Sequence, residues 1–363
     1  LVFASEKKGL PTADLYEKQV KTVYPGTYIE YNYKTLENNI KKYYTLPTEI
    51  INDDRETIIK NIRKQLDEAV KVKMVSDVPI CTILSGGIDS VIITYLLSKI
   101  KPDIEAFVVS MGDGNTINDD IKYARIAAKE FGVKLHEIIL TEDDFFSAIP
   151  DVIYNIESYD TTSVRASVGN YLVAKYISEI SDAKVIFNGD GSDELTGGYM
   201  YFHNCPSDIE FDYECKRLLS NLQYYDVLRS DRCISCHGLE PRTPFLDRTF
   251  VHEYLSLPIS IRNHNNNNNI EKYLLRQSVN VMDPSLLPKD VLWRTKEAFS
   301  DGVSSQENSW YTIIQTKLDN KYTNEEFIQK CSQYTINPPT TKEQLYYREL
   351  FETYYPGRGN IIP

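Results

Sequence analysis

Residues 79–90 read Pro-Ile-Cys-Thr-Ile-Leu-Ser-Gly-Gly-Ile-Asp-Ser. An apolar run of strand length, two glycines and then a helical pattern describe a strand that feeds a helix through a tight loop. Gly86 and Gly87 carry no Cβ, so the backbone there can turn sharply and approach a ligand closely. Ile88, Val91, Ile92, Tyr95 and Leu96 then recur at helical spacing. The N-terminus of such a helix offers unpaired N–H groups and a positive dipole end, which suits phosphate. Ser85 and Ser90 add hydroxyls, and Asp89 sets a carboxylate where a magnesium ion on the phosphates would need one. The chain contains no G-x-x-x-x-G-K-[ST] loop and no G-x-G-x-x-G after a strand, so the cradle is of another type.

Outward from this loop, strands and helices alternate. Strand 79–84 leads to helix 88–99, strand 104–110 to helix 119–131, and strand 134–140 to helices 143–157 and 167–180. Strand 183–188 leads to a second Gly-rich turn. Nearly all-apolar strands in this order predict an α/β fold, a doubly wound parallel sheet with helices on both faces. A charged amphipathic helix over 52–75, striped with Ile58, Ile62, Leu66 and Val70, precedes it. From about residue 210 the strand signal fades and a mainly helical C-terminal part follows. Residues 1–46 carry strand-like pieces and a turn at Pro25-Gly26, and the opening Leu1–Glu6 reads as a strand already under way. His264 and Asn265–Asn269 read as an inserted low-complexity loop with no packing role.

In open α/β sheets ligands bind beyond the carboxyl ends of the strands. The two Gly-rich loops, 85–87 and 189–191, are therefore expected to share one crevice. The second packs Asp190, Asp193 and Glu194 among four glycines directly after an apolar strand. Asp89 and Asp193 would be oxygen ligands for Mg2+ between the loops.

A formal net charge of −12 argues against a broad nucleic-acid or membrane face, since such partners reward basic surfaces. No apolar run approaches the roughly 18 residues of a membrane span, and no signal-peptide pattern is present, so the cytoplasm is the expected compartment. Six cysteines in a chain of this length make no disulfide framework. Cys233 and Cys236 form one C-x-x-C without a second pair to complete a zinc site, which leaves two buried or half-buried thiols.

Six runs occur in a fixed order: SGGIDS (85–90), ESYDTTSVRAS (157–167), GDGSDELTGGYMYF (189–202), RTPFLD (242–247), WRTKEAFSDG (293–302) and YRELFE (347–352). Together they resemble the glutamine-hydrolysing asparagine synthetase family, whose synthetase domain belongs to the ATP pyrophosphatase (pyrophosphate-loop) enzymes. The resemblance covers nearly the whole chain. It implies that the side-chain carboxylate of aspartate attacks the α-phosphorus of ATP, giving β-aspartyl-AMP and pyrophosphate, and that ammonia then releases asparagine and AMP. Ser85, Gly86, Gly87 and Ser90 would hold the pyrophosphate, and Asp89 and Asp193 the magnesium. Ile83, Leu84, Val109, Asn188 and Gly189 match positions around the nucleotide. Lys296 would meet charge growing on the α-phosphate. Thr162, Ser163 and Arg165 match positions for aspartate binding and catalysis, with Asp226 and Arg229 candidates for the same cleft.

The resemblance further implies that 1–46 is the remnant of an N-terminal glutaminase domain and linker, FASEKKGL resembling that domain's closing strand. Residues 47–363 would be the synthetase domain, with 47–205 its α/β core and 206–363 its helical part. Nitrogen would come from glutamine in the full-length protein and from ammonia in this chain, where residue 1 is Leu rather than the nucleophilic Cys. A homodimer is compatible with this picture. Asp190 stands where the family has Glu, a catalytic position tied to the aspartyl-adenylate, and its side chain is shorter by ~1.5 Å, one C–C bond. Asn188 replaces a family Ser, and Ser163 a Thr. The alternatives are a β-lactam synthetase-like enzyme, which has Tyr where Asp190 stands, a pyrophosphate-loop tRNA-thiolating enzyme using Cys233 and Cys236, and a non-catalytic remnant that binds nucleotide or partners.

Overall fold

The computed structural model describes residues 2–10, 20–112, 118–284, 287–294 and 309–359. A small antiparallel hairpin, β1 (Thr27–Tyr31) with β2 (Asn38–Lys42), precedes helix α1 (Arg55–Lys73). The central sheet then grows from β3 (Ile80–Ile83), α2 (Ile88–Ile100), β4 (Glu105–Met111), α3 (Asp119–Phe131) and β5 (Lys134–Leu140). After α4 (Glu142–Ser147), α5 (Ile149–Ile156) and α6 (Thr161–Ile180) come β6 (Val185–Phe187) and the short α7 (Ser192–Thr196). Helices α8 (Asp208–Ser220) and α9 (Asp226–Ser235) lead to β7 (Glu240–Arg242).

The sheet order is β5-β4-β3-β6-β7, and every pairing is parallel. The order reverses at β3, which has β4 on one side and β6 on the other. That reversal is the switch point at which a doubly wound sheet opens a crevice. Side chains alternate across the sheet: Cys81, Ile83, Phe107 and Val109 belong to one buried cluster, Ala106 and Val108 to the other. Helix α1 lays Ile58, Ile62, Leu66 and Val70 onto the second cluster, as its stripe predicts. Both faces are covered, which is why the strands read as continuous apolar runs.

Several sequence expectations are corrected. The helix expected over 143–157 is two, because Pro150 at the start of α5 can donate no backbone hydrogen bond to a preceding turn. Helix α6 starts at Thr161 rather than 167, since the Asp160 carboxylate caps it by accepting from the Ser163 N–H at 2.8 Å. The segment Glu240–Arg242 is a strand, with Pro241 tolerated because β7 lies at the sheet edge. Among the described residues the chain's opening is not a strand. Lys7–Gly9 form a short 3-10 turn, and the backbone N–H groups of Lys7 and Lys8 donate to the Glu157 carboxylate at 3.0 and 2.6 Å.

The asparagine tract does pack. His264 and Asn267 are buried, Asn267 Nδ2 donates to the carbonyls of Ile261 and Asn263, and Asn265 Nδ2 donates to that of Phe202. Side-chain amides here satisfy backbone groups that no regular element serves. The tract leads directly into the helix Tyr273–Met282 through Ile270, Glu271 and Lys272, the last in the left-handed region at φ 57°. No helix among the described residues is long and apolar enough to cross a membrane.

Candidate active site

The β3–α2 loop forms the floor of a cleft of about 780 Å3. Gly86 adopts φ +74°, and a Cβ there would lie 2.8 Å from the Asp120 carbonyl oxygen and from Tyr123 Cβ. Gly87 is the N-cap of α2, at φ −71°. Ser90 ties the loop together, donating to the Gly87 carbonyl at 2.9 Å and accepting from the Ser85 N–H at 3.1 Å. Its hydroxyl proton is thus committed inside the loop, Ser85 Oγ lies 3.1 Å from Ser90 Oγ and is the donor of that pair, and the backbone N–H groups of the first turn are left to face a phosphate. Gly86→Ala is expected to cost about 1–2 kcal/mol from the backbone alone, with the clash added. Gly87→Ala, whose Cβ would meet only Ser85 Oγ at 3.5 Å, is expected to be much milder. Urea unfolding of the two variants checks this.

The second Gly-rich loop closes over the first. A Cβ on Gly189 would stand 2.7 Å from Asp89 Cβ, and the Ser192 hydroxyl donates to Asp89 Oδ1 at 2.7 Å. The shared crevice expected from the sequence is therefore present. Between the loops lies Lys272. Its ammonium ion-pairs with Asp89 Oδ2 and with Asp193 Oδ1, the latter at 2.7 Å, and the side chain is fully buried. The two carboxylates raise the Lys272 pKa against the opposing effect of burial, which is the largest single influence. Beside it Arg276 pairs with Glu271 and donates to the carbonyls of Leu292 and Arg294 at 2.5 and 3.0 Å. Arg294 in turn reaches Asp120 at 3.4 Å and stacks on Tyr123.

A third group of charges lines the wall. Arg229 on α9 lies 2.9 Å from Asp226 and 3.6 Å from Asp190. Burial raises the Asp190 pKa; Arg229 and then Ser230 pull it back, while Asp226 and Asp193 push it up. Burial raises the Glu194 carboxyl well above its usual range, with Asp226 reinforcing the effect, and Glu194 accepts the Tyr199 hydroxyl. Thr162, Ser163 and Arg165 occupy the first turns of α6 and line the same cleft. Arg165 Nε sits 2.9 Å from the buried Glu343, and its guanidinium lies over Tyr311. Burial raises the Glu343 carboxyl, and Arg165 draws it down.

Of the expected nucleotide residues, Ile83, Asn188 and Gly189 line the cleft. The side chains of Leu84 and Val109 are packed into the two cores, so only their backbone could face a ligand. Lys296 lies outside the described residues. Sequence reasoning missed Lys272, Arg276, Ser192, Ser230 and Glu343. Nothing local marked Lys272: the run Ile270-Glu271-Lys272-Tyr273-Leu274-Leu275-Arg276 that follows the asparagine tract has an ordinary helical pattern.

The thiols do not form a catalytic pair. Cys233 is buried and burial pushes its thiol up, whereas Cys236 is exposed, with its thiol at about 11. Neither is a ready nucleophile, because the thiolate is the reactive form.

A doubly wound parallel sheet with an anion cradle at its switch point, faced by a second acidic loop, defines an α/β protein of the nucleotide-binding class. The sequence profile of the family described as asparagine synthase matches residues 61–213 and 206–360, and the chain belongs to that family. Glutamine-hydrolyzing asparagine synthetase of Gallus gallus is 45% identical over 316 residues, covering 85% of this chain and 55% of that protein. The Bos taurus enzyme of the same name is 42% identical over 314 residues, covering 85% and 54%. The chain thus spans about half the length of these relatives. A more distant likeness is found to the U34-tRNA thiolase NcsA of Methanococcus maripaludis, at TM-score 0.36 and 13% identity over 83% of this chain and 82% of that one.

Proposed function

We propose that this chain amidates L-aspartate at the expense of ATP, forming L-asparagine, AMP and pyrophosphate. The observation that carries the reading is the meeting of the two Gly-rich loops at the switch point, joined by the Ser192–Asp89 hydrogen bond. Family membership supplies the substrate class.

ATP would lie with its β and γ phosphates on the Ser85–Gly87 backbone and the N-terminus of α2. The side-chain carboxylate of aspartate attacks the α-phosphorus, the α–β bridging bond breaks, and pyrophosphate leaves with the electron pair. Ammonia then attacks the acyl carbon of the β-aspartyl-AMP, and AMP departs as asparagine forms. Thr162, Ser163 and Arg165 would receive the amino acid, Arg165 held in place by Glu343. Arg229 is placed to set the charge of the wall that faces the acyl group. Asp190 would serve the adenylate from that wall, and Lys296 would act on the α-phosphate.

Asp89 and Asp193 fit magnesium. The Lys272 ammonium occupies one oxygen of each, so a metal would use the carboxylate lone pairs that the lysine leaves free, and two carboxylates plus phosphate oxygens are a donor set that Mg2+ takes. Bound there, the metal would neutralise charge on the leaving pyrophosphate.

The longer relatives bear a name that includes glutamine hydrolysis, so a glutaminase domain is the natural partner of residues 47–363. Residues 47–363 would take ammonia as the nitrogen donor, in the cytoplasm. The test is production of asparagine, AMP and pyrophosphate from aspartate and ATP with ammonia or with glutamine, alongside aspartate-dependent exchange of pyrophosphate into ATP. Product with ammonia is the expected result. Exchange that ignores aspartate would overturn the substrate assignment.

A further inference from the structure

Asn188 ends β6 and holds the second loop from within. Its Oδ1 accepts from the Asp190 N–H at 3.2 Å, and its Nδ2 donates to Ser230 Oγ at 2.8 Å. Ser230 lies on α9 directly after Arg229, and both Asn188 and Ser230 are buried. A serine hydroxyl has one proton to give and lone pairs with which to accept. Because Ser230 Oγ accepts from Asn188, its proton is turned away from the amide.

The group in need of that proton is the Asp190 carboxyl. Its Oδ2 is closed off from solvent without a hydrogen-bond partner among the described residues, while Arg229 stays 3.6 Å from Oδ1. Ser230 is near enough to favour the Asp190 anion against the effect of burial. A buried acceptor left unmet is costly, so a neighbouring hydroxyl has reason to turn towards it.

We propose that Ser230, oriented by Asn188, is a positioning residue that presents its hydroxyl proton to the Asp190 carboxylate and so fixes where this shortened acid stands in the cleft. The inference rests on the proposed role of Asp190 in aspartate amidation. It assigns to Asn188 and Ser230 jointly a task that the extra methylene of a glutamate would otherwise perform by reach.

The experiment compares the chain with its Ser230→Ala, Ser230→Thr, Asp190→Ala and Ser230→Ala/Asp190→Ala variants. Without the hydroxyl the Asp190 anion loses a donor, so the acidic limb of the pH profile of ammonia-dependent asparagine synthesis should move up by roughly one pH unit. KM for ATP should hold, and Ser230→Thr should restore the limb. A purely structural role for Ser230 would lower activity without moving the limb, and that result overturns the proposal.

Thermal unfolding at pH 8 supplies a readout independent of activity. Ser230→Ala should lower Tm in the Asp190 background and leave it nearly unchanged in the Asp190→Ala background. Equal losses in both backgrounds would also overturn the proposal. A chain that makes no asparagine but shows this coupling would refute the amidation reading and leave the Ser230–Asp190 contact standing.

Discussion

Lys272→Met is expected to destabilise the fold by about 3–5 kcal/mol and to abolish pyrophosphate exchange, the magnitude being that of removing one partner from a buried ion pair. The ammonium sits between Asp89 and Asp193 with no exposure of its own side chain. Methionine keeps the length of the stem but leaves two carboxylates of like charge facing each other across the gap. In a chain of this size the loss corresponds to a fall in Tm of roughly 4–7 °C. The sign with pH follows from the raised Lys272 pKa. The stabilisation is complete below the ordinary lysine value of 10.5 and is lost only as pH rises through the higher folded value. The deficit of the variant should therefore be undiminished at pH 7–9. Adding Asp193→Asn to Lys272→Met should recover part of the loss, because the repulsion is removed with the cation. Urea unfolding of the three proteins measures this; a single-variant loss below about 1 kcal/mol, the range of an exposed pair, would show that the lysine does not hold the loops together.

The part of the site legible in the sequence was local. Residues 80–100 declare a strand, a glycine loop and a helix within one short window, because apolar alternation and missing Cβ atoms act over a few residues. The second loop was legible for the same reason, and the rule that ligands lie beyond strand ends placed the two together. Lys272 was not legible, since its partner Asp89 is 183 residues away. In sequence, Ile270–Arg276 is only an amphipathic turn with ordinary charges. The asparagine tract misled for a related reason: its amides satisfy backbone carbonyls that exist as unmet acceptors only once the short helix Ile259–Arg262 and the 3-10 turn Met200–Asn204 have been folded against it. Arg165 was found, but Glu343, which lies near the far end of the chain and orients it, was not.

The wall around Arg229 should respond to pH in the opposite sense from Lys272. Arg229→Gln is expected to cost about 3–5 kcal/mol at pH 8 and much less at pH 5. Arg229 bridges Asp226 at 2.9 Å and Asp190 at 3.6 Å, and Glu194 stands beside the same pair. Burial already raises the Asp190 and Glu194 carboxyls, and Arg229 is the largest influence that draws Asp190 back down. Glutamine removes that influence, so the folded-state pKa values climb further above those of the unfolded chain. A group whose folded pKa is raised binds its proton more readily in the native state, so stability falls as pH rises through the interval between the unfolded and folded values. Relative to the wild type, the variant should thus lose most where these carboxyls are forced to ionise and regain stability as acid lets them protonate. Urea midpoints at pH 8, 7, 6 and 5 trace the curve. A deficit that stays constant over this range would mean that Arg229 acts by packing its stem rather than by its charge. The same variant should lose asparagine synthesis at every pH in the range, because protonation restores the fold but not the cation opposite Asp190.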